Sequence, residues 1–495
     1  MPRMIRNLAS VGLLVTIGAA LCAAPPVTAA EGLSGRVGAA AGARLSKAMR
    51  ASIGVWDAKT GELLHETNGS TPRRPASAMK VATTAAALLT LGASAELSTD
   101  VLTASRPDAQ GRLDGDLVVR GGGDVGINNR AGAGAAEAAL QAMAKAVRDA
   151  GVTSVTGNLV LDDSAFTGAS RHPGWAWDDG EWAWFKAPVA ALLLTDACVE
   201  VTVLPGAGEG AAAVIQLDPP TTAVRFANRV ITAASKQKKT NVVLGRMDDT
   251  GTIPVTGNVP AGSAGYHFDA ACVDPAEHFG DVFLRVLRAQ GVAVAGQAVV
   301  LRRDANLPNR SVTSDPVERT RLAHHGTTVL DTVRIANKHS QNLYAEVLLR
   351  ALGRAAGDGS FEGGCRAVRK ALGFDPADAT FVQVDGSGLA RENQATVGAL
   401  GRVLVKMYGS PLARDYIASL PGAGEADSTL RKRFEAAKYD GRVFAKTGTL
   451  RDTSSLAGYV RGESGRTYAF AVLCEGDVGR SRELQDDVVE ILVGQ

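Results

Sequence analysis

Apolar and polar residues alternate through Ala51-Ser52-Ile53-Gly54-Val55-Trp56-Asp57, Lys59-Thr60-Gly61-Glu62 supplies a turn, and Leu63-Leu64-His65-Glu66 returns. This spacing predicts a hairpin near the start of the chain. At the other end, three short runs rich in β-branched and aromatic residues, 443–446, 456–461 and 467–474, predict a meander. Between them lie stretches with helical periodicity: Val81-Ala82-Thr83-Thr84-Ala85-Ala86-Ala87-Leu88-Leu89, stopped by Gly92, and the amphipathic Asn342-Leu343-Tyr344-Ala345-Glu346-Val347-Leu348-Leu349. One sheet drawn from both ends of the chain and covered by helices gives an α/β sandwich.

The stretch between these two helices is too long for that fold alone, and its pattern predicts two nested, strand-rich inserts. A strand-rich region is expected from near Leu102, including 115–124, then a helix over 135–150 ended by Gly151 and a strand at 157–163. Short strands between Cys198 and Gly262, broken at Pro205-Gly206, Pro219-Pro220 and Pro260-Ala261-Gly262, read as a small β unit set within the first insert. Asp274-Pro275 then opens a helix running to Ala289. The expected division is a leader at 1–30, a catalytic domain at 31–98 and 308–495, an insert at 99–196 and 265–307, and a nested unit at 197–264.

Composition narrows the function more than the fold. The 53 basic residues against 51 acidic ones leave a net charge of +2, so nothing points to nucleic acid or an anionic membrane, and a small or neutral partner is expected. Arg3 and Arg6 precede the apolar run 11–21, and Val27-Thr28-Ala29 follows as a small-residue cleavage site, the pattern of a secretory signal peptide. Pro25-Pro26 ends that run before the roughly 20 residues a membrane span needs, so an exported protein without an integral membrane segment is expected. Cys198, Cys272, Cys365 and Cys474 follow the leader without metal-ligand spacing. In an exported chain they allow disulfides, with 198–272 and 365–474 the expected pairs and free buried thiols the alternative.

The candidate chemistry starts at Pro75-Ala76-Ser77-Ala78-Met79-Lys80, which feeds the first helix. Ser77 and Lys80 lie one turn apart and share a face, which places an amine beside a hydroxyl. A serine hydroxyl is a weak nucleophile until a base takes its proton, and an apolar flank is what lowers a lysine's pKa enough to serve. Alone, Ser-x-x-Lys is a weak signal that chance readily supplies. Ser340-Gln341-Asn342 at a helix start and Lys446-Thr447-Gly448-Thr449 on a strand change that, because S-x-x-K, S-x-N and K-T-G in this order are the arrangement of penicillin-recognising serine enzymes.

Other motifs are weaker. Trp175, Trp177, Trp182 and Trp184 flank Asp178-Asp179, either as packing or as an aromatic wall with a carboxylate for a cationic substrate group. Gly121-Gly122-Gly123-Asp124 lacks the frame of a phosphate loop and reads as a tight turn. His324-His325 lack a third ligand at metal spacing and are expected on a helix or loop, and Asp385-Gly386-Ser387-Gly388-Leu389 does not fit a hydrolase elbow.

With these landmarks placed, the chain resembles the class C low-molecular-mass penicillin-binding proteins, the D-alanyl-D-alanine carboxypeptidase/endopeptidase family. The resemblance rests on the three motifs, on Gly121 to Asp124, on Gly174-Trp175-Ala176-Trp177-Asp178-Asp179 and on Asp385 through Asn393. It implies a serine β-lactamase/transpeptidase-like sandwich, an antiparallel sheet with flanking helices, that acts in the periplasm without metal or cofactor. Ser77 is implied as the acylated nucleophile, Lys80 as its base, Ser340 as a proton shuttle and Asn342 as a hydrogen-bond partner of the substrate amide. Lys446 and Thr447 are implied to hold the terminal carboxylate, Gly448 and Thr449 to bind substrate beside them, and the N–H groups of Ser77 and Thr449 to form the oxyanion hole.

By the same match, Arg391 and Asp179 lie where the family reads the stem-peptide side chain, and Arg451 stands where relatives that read diaminopimelate have a neutral polar group. The expected partners are peptidoglycan stem peptides and, as covalent inhibitors, β-lactams. A β-lactamase would need a deacylating carboxylate, and no Glu-x-x-x-Asn stands in that role between Ser77 and Ser340. A non-hydrolytic β-lactam sensor or wall-binding protein would be acylated without cutting peptide.

Overall fold

The computed structural model describes residues 29–175, 180, 182–237, 239–248, 250–303 and 319–495. Residues 1–28 of the expected leader fall outside this set, its last two residues opening the first helix, and Trp177, Asp178, Asp179 and the 304–318 stretch lie outside it too.

The sheet from both ends of the chain is present. The strand Met49–Asp57 pairs antiparallel with Leu63–Thr67 on one side and with Thr467–Gly476 on the other. Thr467–Gly476 pairs with Thr453–Arg461, which pairs with the edge strand Val443–Leu450. Both faces are covered. Helices Ala29–Arg44 and Val478–Val493 close one face, burying Leu33, Val37 and Ala41 on a single helical stripe against Val472, Phe470 and Leu484. The other face meets helices Lys80–Leu91, Asn342–Ala355 and Val397–Tyr408 in a larger core that includes Ala82, Leu348 and Leu400.

A second five-stranded sheet is made from Glu96–Thr103, Leu117–Gly121, Leu159–Thr167, Ala298–Arg303 and Thr320–Thr328, packed on helices Ala135–Asp149 and Pro275–Ala289. Asp274 caps the latter helix by accepting from the N–H groups of Ala276 and Glu277. A pair of three-stranded sheets, built from strands between Cys198 and Ala271, encloses a separate small core.

Hydrogen bonding carries these sheets past the boundaries expected from sequence. Tyr266–Ala271 pairs along Cys198–Leu204, and Thr320–Thr328 pairs along Glu96–Thr103, so the nested sheets extend beyond residue 264 and the second sheet beyond residue 307. His324 and His325 therefore sit on a strand.

Neither expected disulfide forms, since all four described cysteines are free and buried. Cys198 faces the main helical core beside Ala271, whereas Cys272, the next residue along the pleat, faces the nested core with Ala270. Cys365 and Cys474 lie in the cores on opposite faces of the main sheet.

Candidate active site

The three motifs converge where the edge strand Val443–Leu450 crosses the start of the helix Lys80–Leu91. Close approach depends on Gly448: a Cβ there would lie 2.7 Å from the Pro75 carbonyl oxygen and 2.9 Å from the Ala78 nitrogen. Ser455, on the neighbouring strand, donates to the Pro75 carbonyl at 2.5 Å. The turn Ala76–Met79 that carries Ser77 is 3-10 helix, entered from Ala76 in the left-handed region at φ 47°. Gly388 packs under it, and any Cβ there would sit 1.9 Å from the Ala76 oxygen. Ser340 is also left-handed, at φ 57°. Strained backbone of this kind persists only where surrounding contacts fix it.

Lys80 is fully buried and its three N–H donors are all used. Nζ donates to Ser77 Oγ at 3.1 Å, to Asn342 Oδ1 at 2.7 Å and to the Ser387 carbonyl at 3.1 Å. Burial pushes its pKa down to about 7, opposed by the attraction of Glu346 and Asp385. Lys446, equally buried, donates to Ser340 Oγ at 2.8 Å and to the Thr447 carbonyl at 2.7 Å. Burial and then the nearby Lys80 hold it well below an ordinary amine. Asn342 turns its other end away, donating from Nδ2 to the Phe185 carbonyl at 2.9 Å. Ser77, Lys80, Ser340, Asn342 and Lys446 thus form two lysine–serine pairs side by side.

The outer edge of Val443–Leu450 is open where it passes Ser77. The Ala445 N–H points away from the sheet, to the Pro421 carbonyl. Strand alternation then turns the N–H groups of Thr447 and Thr449 to the same, unpaired edge. Thr447 Oγ1 donates to Thr429 Oγ1 at 2.9 Å. The edge can take an extended peptide while a base-activated hydroxyl stands beside it, which is the arrangement that acyl transfer requires.

Two buried carboxylates, Glu346 and Asp385, lie close to Lys80 and belong to none of the three motifs. Glu346 accepts from the N–H groups of Gly386 at 2.7 Å and Ser387 at 2.8 Å, and so holds the loop whose carbonyl receives Lys80. Burial, then Asp385, raises its pKa. Asp385 accepts from Gly388 and Ala390 N–H, Asn393 Nδ2 and Trp175 Nε1. A signal existed for Glu346, an acid one turn beyond Asn342 inside an apolar helix face.

The tryptophans divide. Trp175 is core, edge-to-face with Phe361; Trp182 packs on Phe268 of the nested sheets; Trp184 is 45% exposed. Arg391 is exposed and acts electrostatically on Asp452, with no hydrogen bond into the serine–lysine cluster. Asp124 closes the glycine turn, buried and bonded to His325 and Thr327.

The profile of the D-Ala-D-Ala carboxypeptidase 3 (S13) family matches residues 38–493. A D-alanyl-D-alanine carboxypeptidase of Actinomadura sp. (strain R39) is 33% identical over 454 residues, spanning 89% of this chain and 80% of that protein. Carboxypeptidase DacB of Mycolicibacterium smegmatis is 28% identical, spanning 86% and 77%. Among solved structures, penicillin binding protein 4 (dacB) from Haemophilus influenzae superposes with a TM-score of 0.75 at 24% identity, over 92% of this chain and 99% of that one, a shared fold.

Proposed function

This chain belongs to the D-Ala-D-Ala carboxypeptidase 3 (S13) family, and on that premise we propose how its residues carry out the family's reaction. The protein is a serine-type D-alanyl-D-alanine carboxypeptidase/endopeptidase of peptidoglycan, sensitive to penicillin. Ser77 Oγ attacks the carbonyl of the penultimate D-alanine in a stem peptide as Lys80 takes its proton. The oxyanion lies against the N–H groups of Ser77 and Thr449. Ser340, held by Lys446, passes a proton to the leaving amine as the C–N bond breaks, and water then hydrolyses the Ser77 ester. Thr447 and Thr449, with the Lys446 charge behind them, receive the terminal carboxylate, and Asn342 orients the substrate amide. By the family match, Arg391 and Asp179 are the residues proposed to read the stem-peptide side chain. Penicillin acylates the same serine.

The observation that carries these assignments is the Lys80 Nζ to Ser77 Oγ contact at 3.1 Å, made by a fully buried amine whose pKa burial has lowered. The leader pattern at 1–30 supports a periplasmic location for the mature protein, and no helix among the described residues is long and apolar enough to cross a membrane.

The test is to incubate the protein and Ser77→Ala with fluorescent penicillin and with a peptide ending in D-Ala-D-Ala. Label and D-alanine release by the parent alone are expected. A labelled Ser77→Ala variant would disprove the nucleophile assignment, and a labelled parent that leaves peptide intact would support a sensor instead.

A further inference from the structure

Thr447 and Thr449 on the open strand edge also line a cavity of about 460 Å³, and the same lining carries Arg431, Lys432 and Arg482. All three side chains belong to exposed residues, and none has an ion-pair partner among the described residues. The acid of the lining, Asp486, and four others nearby in the chain are engaged elsewhere. Asp486 accepts from Arg433 Nε at 3.1 Å, Glu483 and Asp487 hold Arg44, Glu490 holds Lys438, and Glu425 holds Lys338. Arg433 is also fixed by Gln485 at 3.2 Å and by the Phe434 ring, so it serves as part of the wall. The result is an excess of positive charge next to two threonine hydroxyls on a chain that is nearly neutral overall.

We propose that this cavity is a leaving-group subsite for a peptide that carries carboxylates of its own, the far half of a cross-linked substrate. The inference rests on the reading that Thr447 and Thr449 receive the carboxylate of the leaving residue. When that residue is free D-alanine, nothing of it extends past this carboxylate, and the Lys446 charge with two hydroxyls suffices to hold it. In a cross-link the leaving residue presents the same carboxylate, but its side chain continues into a second peptide bearing further carboxylates. That continuation enters the cavity, where Arg431, Lys432 and Arg482 meet it. Unpaired exposed cations attract such a partner over a Debye length and pair with it after arrival, which raises encounter rate and affinity without touching the acylation chemistry. The subsite therefore favours splitting cross-links over trimming free stems.

The experiment compares the full-length protein with Arg431→Gln, Arg482→Gln and the double variant. The substrates are a single-stem peptide ending in D-Ala-D-Ala, a cross-linked muropeptide dimer, and the same dimer with the carboxylates of its leaving half amidated. Fluorescent penicillin reports Ser77, and thermal melts report folding. The expected result is a KM for the carboxylated dimer that rises roughly threefold or more per variant and further in the double variant. The ratio of that KM to the single-stem KM should rise with it, the parent should lose the preference at high salt, and the amidated dimer should respond to neither change.

Equal effects on both peptides, or none on the carboxylated dimer, would overturn the proposal. So would a parent that takes penicillin and releases D-alanine but leaves the dimer whole, an outcome that keeps the peptidase reading intact. A parent that takes no penicillin and cuts neither substrate would remove that reading and this one together.

Discussion

The inner and outer sides of the strand Val443–Leu450 handle charge in opposite ways. On the inner side, Lys80, Lys446, Glu346 and Asp385 are all fully buried, and each is hydrogen-bonded to named partners. On the outer side, Arg431, Lys432 and Arg482 are exposed, with no ion-pair partner among the described residues. Buried charge in a low-dielectric interior is costly unless matched, so it is found only where chemistry needs a shifted pKa or a rigid loop. Exposed charge costs little to hold, and what it gives is attraction at a distance. In the proposed mechanism the inner groups set how fast Ser77 reacts; in the proposed subsite the outer ones set what arrives.

The comparison breaks first at Lys80. Lys80→Ala removes the proposed base, and penicillin acylation should fall by about 10²–10⁴-fold, the usual contribution of a general base. A variant that acylates at the parental rate would move that role elsewhere. Next is Glu346→Ala, which leaves the N–H groups of Gly386 and Ser387 buried and unpaired, and also strips a charge from beside Lys80. A loss of roughly 3 kcal/mol in unfolding free energy is expected by denaturant titration, against near-parental stability for an exposed residue such as Arg482.

Glu346→Gln sharpens the same point by pH. Lys80 must be neutral to accept a proton, so acylation should climb with pH through the region near 7 and level off above it. Glu346, whose own pKa burial and Asp385 raise, favours the protonated amine wherever it is ionised, so its removal should move that limb to lower pH. An unmoved limb in stopped-flow acylation would uncouple the two groups. The smallest effect belongs to salt. Raising it to about 0.5 M screens exposed charges and should leave the limiting penicillin acylation rate of the parent within about twofold.

Much of this was readable from the chain because periodicity and motif agree. The alternation at 51–57 and the strands of the last fifty or so residues gave one sheet, as expected for half-buried antiparallel strands. Ser-x-x-Lys, Ser-x-Asn and Lys-Thr-Gly marked Ser77, Lys80, Ser340, Asn342 and Lys446, which hydrogen bonds now link into adjacent pairs. Glu346 and Asp385 were harder to read, because an acid within an apolar helix or a glycine-rich loop shows nothing of its partners until the tertiary fold supplies them. The sheet ends at Ala271 and Thr328 were missed for a related reason: strand pairing between distant segments has no local signature. The cysteines misled because 198 and 272 are neighbours in space yet point to opposite sides of one ladder.

The sheet drawn from both ends of the chain also fixes an order of assembly. Met49–Asp57 is among the first strands synthesised, and one of its two neighbours, Thr467–Gly476, is among the last. Until that neighbour emerges, the early hairpin has no central partner, and the edge strand bearing Lys446 has no sheet to join. Contacts of such sequence separation form late and slowly. The main sheet therefore stays open until Thr467–Gly476 has emerged, and Ser77 meets the strand that carries Lys446 in its final setting only after that strand has docked.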